Sequence, residues 1–281
     1  MRNNILWLIC LFLTIVLLYC IFTNKVITQI ETFNQEQNEE DNEEDNEEDT
    51  NNVSTQNIEI LIARYNEDLE WLKNKPFSSY PITIYNKGVN DNFYKPSYLK
   101  EVVELPNVGV NVHSYLYYII ENYDNLPDVV IFLPGSAMDK HKRNKTLKTV
   151  LNTISTNNSV FYVEKNIDDI KETLNDFNLD IYPISNLQNR ELNNDYKLEK
   201  CNIRPFGKWY DYLFPNISLN HINYHAIFSV SKQHILNRSK NSYKKLIKYV
   251  NNHKNEECAH YFERSFLSIF HPIPDECIYT L

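Results

Sequence analysis

The stretch of residues 106–135 constrains the fold of this chain more than any other. It contains a short polar loop, an apolar pattern with helical spacing, a proline turn and five consecutive apolar residues. The spacing i, i+3, i+4, i+7 is met by Leu116, Ile119, Ile120 and Tyr123, which predicts a helix with one apolar face. Residues 129–133 are rich in β-branched side chains and predict a strand covered on both faces, as in a parallel sheet.

Other segments repeat this alternation of strand and helix. Residues 58–63, 81–85 and 226–230 predict three more strands. A helix is predicted to begin at Glu67 with Asn66 as its N-cap, and residues 140–145 form a basic loop. Further helices are predicted at 146–154, around 167–177, from 231 onwards, at 242–250 and at 256–270. The pattern predicts an α/β domain with a mostly parallel sheet and flanking helices, in which strands 58–63, 81–85 and 129–133 are neighbours.

The N-terminal part of the chain has a different composition. Residues 5–22 carry no charge and as a helix would span about 27 Å, which predicts an uncleaved transmembrane signal-anchor after a cytosolic segment 1–4. Residues 23–56 include a repeated EEDN and predict a disordered acidic stalk. Residues 57–281 form the single α/β domain. These features predict a single-pass membrane protein whose domain is lumenal or extracellular, in a host membrane if the protein is viral.

The net charge of −9 comes from the stalk. Residues 1–50 hold 11 acids and two bases, and the rest of the chain holds 26 of each. A neutral domain gives no indication of a nucleic-acid-binding surface.

The domain has three cysteines, Cys201, Cys258 and Cys277, so at most one disulfide and one free thiol form there. No cysteine or histidine grouping has the spacing of a zinc site, and His221 and His225 are predicted to be structural. Five glycosylation sequons are present, but about four are expected by chance, so their number does not settle the topology. These candidate sites are Asn52, Asn144, Asn157, Asn216 and Asn237.

Polar residues gather where the predicted strands end, at 64–66, 86–87, 136 and 139. In open α/β sheets the ligand lies beyond the carboxyl ends of the strands, so Arg64, Asn66, Asn107 and the backbone of Gly135 are predicted to line one cleft. The alternative is that these are ordinary polar loops. The chain has no phosphate-binding P-loop, dinucleotide fingerprint, nucleophile elbow or H-E-x-x-H motif.

A series of motifs in fixed order carries a resemblance that covers most of residues 58–271. The motifs are A-R-Y-N-E-D-L-x-W (63–71), Y-N-K-G (85–88), L-P-N-V-G (105–109), H-S-Y-L (113–116), N-Y-D-N-L-P-D (122–128), F-L-x-G (132–135), F-S-V-S (228–231) and E-R (263–264). The chain resembles a domain family of unknown function found in fungi, other microbes and large DNA viruses. That family is distantly similar to glycosyltransferases of the A-type nucleotide-diphospho-sugar fold.

This resemblance implies roles for particular residues. Arg64, Tyr65, Asn66 and Glu67 would contact the nucleotide. Asn107, Gly109 and His113 would shape the donor cleft beside Gly135, and Glu263 would be the catalytic general base.

The chain departs from the family at Val110 and Asn111, where Arg-Glu is usual, and at Phe266, where the family often has Trp. It also lacks the Asp-x-Asp that holds a divalent metal in the transferases, because residues 133–136 read LPGS and Asp139 stands alone. No metal ligands are therefore assigned, and the cofactor stays unknown, since the resemblance leaves room for a divalent metal that the motif does not supply. The basic loop 140–145 would either neutralise a diphosphate in place of a metal or be merely solvated, and the solvated loop is the favoured interpretation.

Two hypotheses follow. The leading one is a membrane-anchored sugar transferase that binds a nucleotide-sugar and a glycan acceptor. The alternative is a non-catalytic membrane or virion surface glycoprotein that keeps the fold without the chemistry. The intact A-R-Y-N-E-D favours the first, and the departures at Val110, Asn111 and the missing Asp-x-Asp favour the second.

Overall fold

The computed structural model describes residues 57–163, 174–180 and 197–281. The predicted anchor at 5–22, the predicted stalk at 23–56 with Asn52, and most of the predicted helix at 167–177 lie outside these residues. Among the helices that are described, none is both long and apolar enough to cross a membrane.

A five-stranded sheet forms the centre of the described fold, in the order β3-β2-β1-β4-β6. A two-stranded parallel sheet pairs β5 with β7. The strands are β1 (Ile58–Arg64), β2 (Ile82–Asn86), β3 (Leu99–Glu104), β4 (Val129–Pro134), β5 (Phe161–Val163), β6 (Phe228–Ser231) and β7 (Ile278–Thr280).

The central strand β1 pairs in parallel with β2 on one side and with β4 on the other. The predicted neighbourhood of strands 58–63, 81–85 and 129–133 is therefore confirmed. Only β6, which pairs antiparallel with β4, breaks the parallel pattern of the five-stranded sheet. After β1 the chain builds β2 and β3 on one side and then returns to β4 on the other. The carboxyl ends of β1 and β4 consequently flank the topological switch point of the sheet.

Helices and single turns cover both faces of this sheet. The α-helices of the described residues are α1 (Val110–Asn122), α2 (Arg143–Thr156), α3 (Phe206–Leu213), α4 (Lys232–Leu236), α5 (Lys240–Leu246), α6 (Glu257–Glu263) and α7 (Phe266–Ile269). Short 3-10 turns occupy Glu70–Lys73, Phe77–Ser79, Ile247–Tyr249 and Asp275–Cys277.

Alternation along the strands divides the core into two clusters. Ile60 and Ile131 point to one face, where they pack with the 3-10 turns and with Val150 of α2. Leu61 and Phe132 point to the other face, which α1, α6 and α7 cover. Every residue of β1 and β4 is buried, so the prediction of strands covered on both faces is confirmed. The predicted helix after the loop is confirmed as α1, with Gly109 as its N-cap, although it buries more of its circumference than one face.

Several predicted helices are shorter than expected. The predicted helix at Glu67 is wrong: the chain makes a 3-10 turn from Glu70, preceded by Leu69 in the left-handed region, and Asn66 caps nothing. The side chain that binds backbone N–H groups in this loop is that of Glu67, whose carboxylate accepts hydrogen bonds from Tyr65 and Asn66. The prediction of a basic loop over 140–145 is wrong for its second half, because α2 begins at Arg143.

The C-terminal helices are interrupted. The predicted helix 256–270 is two helices, α6 and α7, with a break at Arg264 and Ser265. Helix α5 ends at Leu246 and continues only as a 3-10 turn, where 242–250 was predicted. Strand β3 and helix α3 were not predicted at all. The charged residues and exposure of β3 follow from its position at the sheet edge, where one side of the strand meets water.

Candidate functional site

A cleft of about 460 Å³ opens at the carboxyl edge of the central sheet, beside the switch point between β1 and β4. We call it the switch-point cleft. Residues from six segments line it: Ala63, Arg64, Tyr65, Glu67, Lys87, Asn107, Val110, Asn111, Val112, Ser136, Asp139, His141, Lys142, His225, Ala226, Lys254, Asn255, Ala259, His260 and Glu263.

Arg64, the last residue of β1, is 1% exposed, and its guanidinium is held inside the protein. Its Nε donates to the carbonyl of Glu67 at 2.7 Å, and Nη1 donates to Asn86 Oδ1 at 2.6 Å and to the carbonyl of Asn90 at 2.8 Å. The guanidinium also stacks 3.9 Å from the centroid of the Phe93 ring. Burial lowers the pKa of Arg64. Arg64 thus forms part of the cleft wall while its guanidinium organises the loop that follows β2. Although Glu67 and Asp68 follow closely in the sequence, the Arg64 guanidinium binds the backbone carbonyl of Glu67 and not its carboxylate.

Glu67 ties the end of β1 to the end of β4. Its Oε2 accepts from the backbone of Tyr65 at 2.9 Å and of Asn66 at 3.0 Å. A Cβ at Gly135 would lie 2.6 Å from that same oxygen, so only glycine leaves room for the carboxylate there. Trp71 donates its indole N–H to the Gly135 carbonyl at 3.1 Å. Gly135 itself does not line the cleft but lies behind Glu67.

Lys87 follows β2 and reaches across to the loop that precedes α1. Its ammonium donates to the carbonyls of Val108, at 2.6 Å, and Val110. Burial lowers the pKa of Lys87 to about 7, and the nearby Glu256 carboxylate opposes this shift. An ammonium has three N–H bonds, so one remains for a ligand in the cleft.

Gly109 and His113 lie behind the cleft wall. Gly109 has φ +58 and donates its N–H to the carbonyl of His253, while a Cβ there would clash with the carbonyl of Val250 at 1.9 Å. His113 is buried, and burial lowers its pKa to about 4, with a smaller contribution from Lys87. Both residues therefore shape the start of α1, and neither lines the cleft.

The loop after β4 brings a second ammonium to the cleft. Lys142 donates to Ser136 Oγ at 2.6 Å and lies 3.9 Å from the carboxylate of Asp139. Burial lowers the pKa of Lys142, and the carboxylates of Asp139, Glu67 and Glu263 oppose this shift. Lys145, the next lysine in the chain, is buried and donates to the carbonyl of Tyr224 at 2.6 Å. The predicted solvated basic loop is therefore partly built into the cleft wall.

Glu263, at the end of α6, lines the opposite wall. Its Oε1 accepts the backbone N–H of His225 at 2.7 Å, and His225 has the left-handed φ of 72. Burial raises the pKa of Glu263, while Arg264, the His225 N–H, Lys145 and Lys142 oppose the rise. A fixed carboxyl with a raised pKa in a cleft has the properties expected of a general base near neutral pH.

Two histidines beside Glu263 are neutral at pH 7. Burial lowers the pKa of His225 to about 4, with further contributions from Lys145, Lys142 and His141. Burial also lowers the pKa of His260 to about 4. His225 was predicted to be an ordinary structural residue. It lines the cleft, but it comes directly before the strand predicted at 226–230, and no recognisable motif there indicated a functional residue.

The cleft brings together five of the nine predicted site residues, namely Arg64, Tyr65, Glu67, Asn107 and Glu263. Asn66, Gly109, His113 and Gly135 do not line it. Lys87 and Lys142 also line the cleft but were not among the predicted site residues, because each lies in a polar loop, where a solvated lysine is the usual outcome. The departure at Val110 and Asn111 does lie on the cleft wall.

The donor set does not fit a divalent metal. Among the residues that the structure describes, no three His, Cys, Asp or Glu side chains group around a common point. Asp139, the acid nearest the end of β4, is exposed and faces Lys142.

The structure also places the cysteines and four of the sequons. Cys201 is disulfide-bonded to Cys258, and Cys277 is a buried free thiol. The remaining sequon residues are all exposed and lie at Asn144, Asn157, Asn216 and Asn237.

Comparison with known families identifies the chain. Residues 60–280 match the family described as a protein of unknown function, DUF3431, and the chain belongs to that family. No match is found among curated proteins.

Proposed function

We propose that the switch-point cleft binds a nucleotide-diphospho-sugar and that the protein is a sugar transferase of A-type glycosyltransferase-like fold. The observation that carries this proposal is the position of the cleft, at the carboxyl edge of a parallel sheet where the strand order reverses. This is where open α/β sheets bind nucleotides. The volume of about 460 Å³ is within the range for small-molecule sites.

The two ammonium groups supply the charge that a diphosphate requires. Lys87 and Lys142 come from opposite sides of β1, and each is fixed by hydrogen bonds to the protein while keeping N–H capacity. Fixed cations in a partly desolvated cleft interact with phosphate more strongly than cations in water do. In this proposal they neutralise the leaving diphosphate.

Glu263 is the proposed general base, which would take the proton from an acceptor hydroxyl as the sugar is transferred. Its carboxyl is fixed by the His225 N–H, and its raised pKa increases its affinity for that proton. The neutral His225 and His260 add no positive charge beside it that would stabilise the carboxylate and weaken its basicity.

The cellular part of the proposal rests on residues 5–22 as a membrane anchor and on the disulfide between Cys201 and Cys258. Disulfides persist in lumenal and extracellular compartments, which supports a domain on that side of the membrane. Sequencing the N-terminus of the mature protein tests the anchor, because a start after Phe22 would show a cleaved signal peptide.

Calorimetry tests the binding step. The full chain is titrated with UDP-glucose, UDP-N-acetylglucosamine and GDP-mannose, with and without Mn²⁺. Lys142→Met is expected to weaken binding of the active donor about 10- to 100-fold, the usual effect of losing a charge-assisted hydrogen bond. Lys140→Met is the matched control, since Lys140 is exposed two residues away and does not line the cleft. If no donor binds, or if both variants behave alike, the proposal is wrong.

Glu263→Gln separates binding from chemistry. The variant should bind the donor normally and lose transfer to an acceptor by about 100-fold or more, as expected for removal of a general base. Glu101→Gln, an exposed acid on β3, should behave as wild type.

The alternative function is a surface glycoprotein that keeps the fold without the chemistry. The four exposed sequon residues and the engagement of Arg64 with its own protein favour it. In that case no nucleotide-sugar binds, and glycan is found on Asn144, Asn157, Asn216 or Asn237 by mass spectrometry.

A further inference from the structure

A second cleft, of about 360 Å³, lies beside the disulfide between Cys201 and Cys258. We call it the disulfide cleft. Both cysteines line it, so a covalent crosslink fixes one of its walls. The switch-point cleft lies close by, because Asn255 lines that cleft and the adjacent Glu256 lines the disulfide cleft.

Two buried polar atoms of this cleft have no hydrogen-bond partner among the described residues. They are the indole Nε1 of Trp209, a residue that is 0% exposed, and Oε2 of Glu256, which is 4% exposed. Such groups are costly unless something satisfies them. The pair consists of one donor and one acceptor on the lining of a single cleft.

Both side chains are held firmly. The Trp209 ring packs edge-on against Phe262, with the centroids 4.9 Å apart, and against Tyr261 at 5.4 Å. Glu256 Oε1 accepts the backbone N–H of Asn252 at 2.9 Å and of His253 at 2.8 Å, which leaves Oε2 for another partner. Neither group can turn away to water without breaking these contacts.

The rest of the lining is polar, mixed in charge and partly aromatic. Lys200 and Lys248 are exposed on it, but so is Glu199, so the rim favours neither a strong anion nor a strong cation. Tyr249 also lines the cleft and interacts with Tyr212, which is 62% exposed. Aromatic rings and amide or carboxyl groups together suit a ligand with apolar and hydroxyl faces.

We propose that the disulfide cleft is a carbohydrate-binding site for a neutral sugar. A hydroxyl group both accepts a hydrogen bond, here from the Trp209 indole, and donates one, here to Glu256. A phosphate has no proton to donate when fully ionised, and an ammonium cannot accept. In this proposal hydroxyl groups of the sugar bond to the two buried atoms while the sugar ring packs against Tyr249. The site does not depend on nucleotide-sugar binding in the switch-point cleft.

Indole N–H resonances of the ¹⁵N-labelled full chain test this site. The chain has three tryptophans, Trp7, Trp71 and Trp209. Trp71 donates to Gly135 near the switch-point cleft and serves as an internal reference. The probes are mannotriose, chitotriose and N-acetyllactosamine, each up to about 10 mM, ten times the Kd of a weak complex. At least one probe should shift the Trp209 resonance and leave that of Trp71 in place.

Variants complete the test. Glu256→Gln keeps the shape of the side chain and should weaken the sugar about tenfold, and Trp209→Phe should do the same in sugar-detected saturation transfer. Glu101→Gln, at an exposed acid of β3 that does not line this cleft, should change affinity less than twofold. The inference is overturned if no probe shifts Trp209, which would mean that only water satisfies the two atoms. It is equally overturned if both variants bind sugar as wild type does, or if a probe shifts Trp71 alone, which would place the sugar in the switch-point cleft.

Discussion

Replacing Arg64 with lysine keeps the charge at the end of β1 and removes the planar fork. The guanidinium makes three hydrogen bonds, to Glu67, Asn86 and Asn90, and stacks on Phe93. The lysine ammonium is a point charge without the planar fork of donors, so it retains about one of these hydrogen bonds.

Two lost bonds to a buried charged group, at about 1.5 kcal/mol each, lower the free energy of unfolding by about 3 kcal/mol. For a domain of this size, 1 kcal/mol corresponds to about 2–4 °C, so the melting temperature should fall by about 6–12 °C. Urea and thermal denaturation of the full chain measure both quantities. Arg143→Lys is the control, because Arg143 is exposed at the start of α2.

The same variant tests direct ligand contact. If Arg64 also binds the nucleotide, as the sequence predicts, donor affinity measured well below the melting temperature should fall by about 1–3 kcal/mol. If the guanidinium serves only the loop after β2, affinity should stay within twofold. A melting temperature within about 1 °C of wild type would refute the hydrogen-bond reasoning, since loss of the fork would then cost nothing.

Three other predictions follow from the structure. Transfer activity should rise with pH through the raised pKa of Glu263, because only the deprotonated carboxyl is a base, and a flat pH–rate profile would contradict this. The pKa of Lys87 is about 7 in the folded protein and higher in the unfolded chain, so between pH 7 and 9.5 the unfolded state binds more protons. The free energy of unfolding should therefore rise with pH over this range. In urea denaturation, the Lys87→Met variant should lose this rise. Replacing Cys201 and Cys258 by serine should cost about 4 kcal/mol for a loop of 57 residues, whereas Cys277→Ser should cost far less in the same assay.

The central sheet could be predicted because its strands are continuous apolar runs between turn residues. Such runs must be covered on both faces, and this requirement holds wherever the rest of the chain goes. Strand β3 escaped prediction because it is an edge strand, whose lysine and glutamates face water and resemble a loop. The break between α6 and α7 also escaped, because apolar residues continue on both sides of it, and Ser265 at the break is fully buried in the fold.

The site was harder to predict because its polar groups are satisfied by distant residues. Arg64 meets Asn86 across 22 positions and Phe93 across 29, and no local pattern in the sequence records these pairings. A strand-end arginine next to two acids suggests a local ion pair or a ligand contact. Only the packing of the loop after β2 decides that its donors point to an amide and to carbonyls.

Several side chains of the sequence motifs make contacts within the protein itself. Arg64 joins the first motif to Asn86 of the second, Glu67 lies against Gly135, and Glu263 holds the backbone of His225. These bonds set the shape of the switch-point cleft from behind.

The atoms that remain for a ligand come largely from residues between the motifs, such as Lys142, Asn111 and His141. It follows that substitutions within the motifs should affect stability first, and that the choice of ligand should depend on the loop after β4 and on the first turn of α1. Exchanging Asn111 for glutamate, the acid that the resemblance implies at this position, is therefore expected to change donor affinity while leaving the melting temperature within about 1–2 °C, as for a half-buried position in the first turn of a helix. A large loss of stability instead would mean that Asn111 belongs to the cleft's internal bonding and not to its ligand surface.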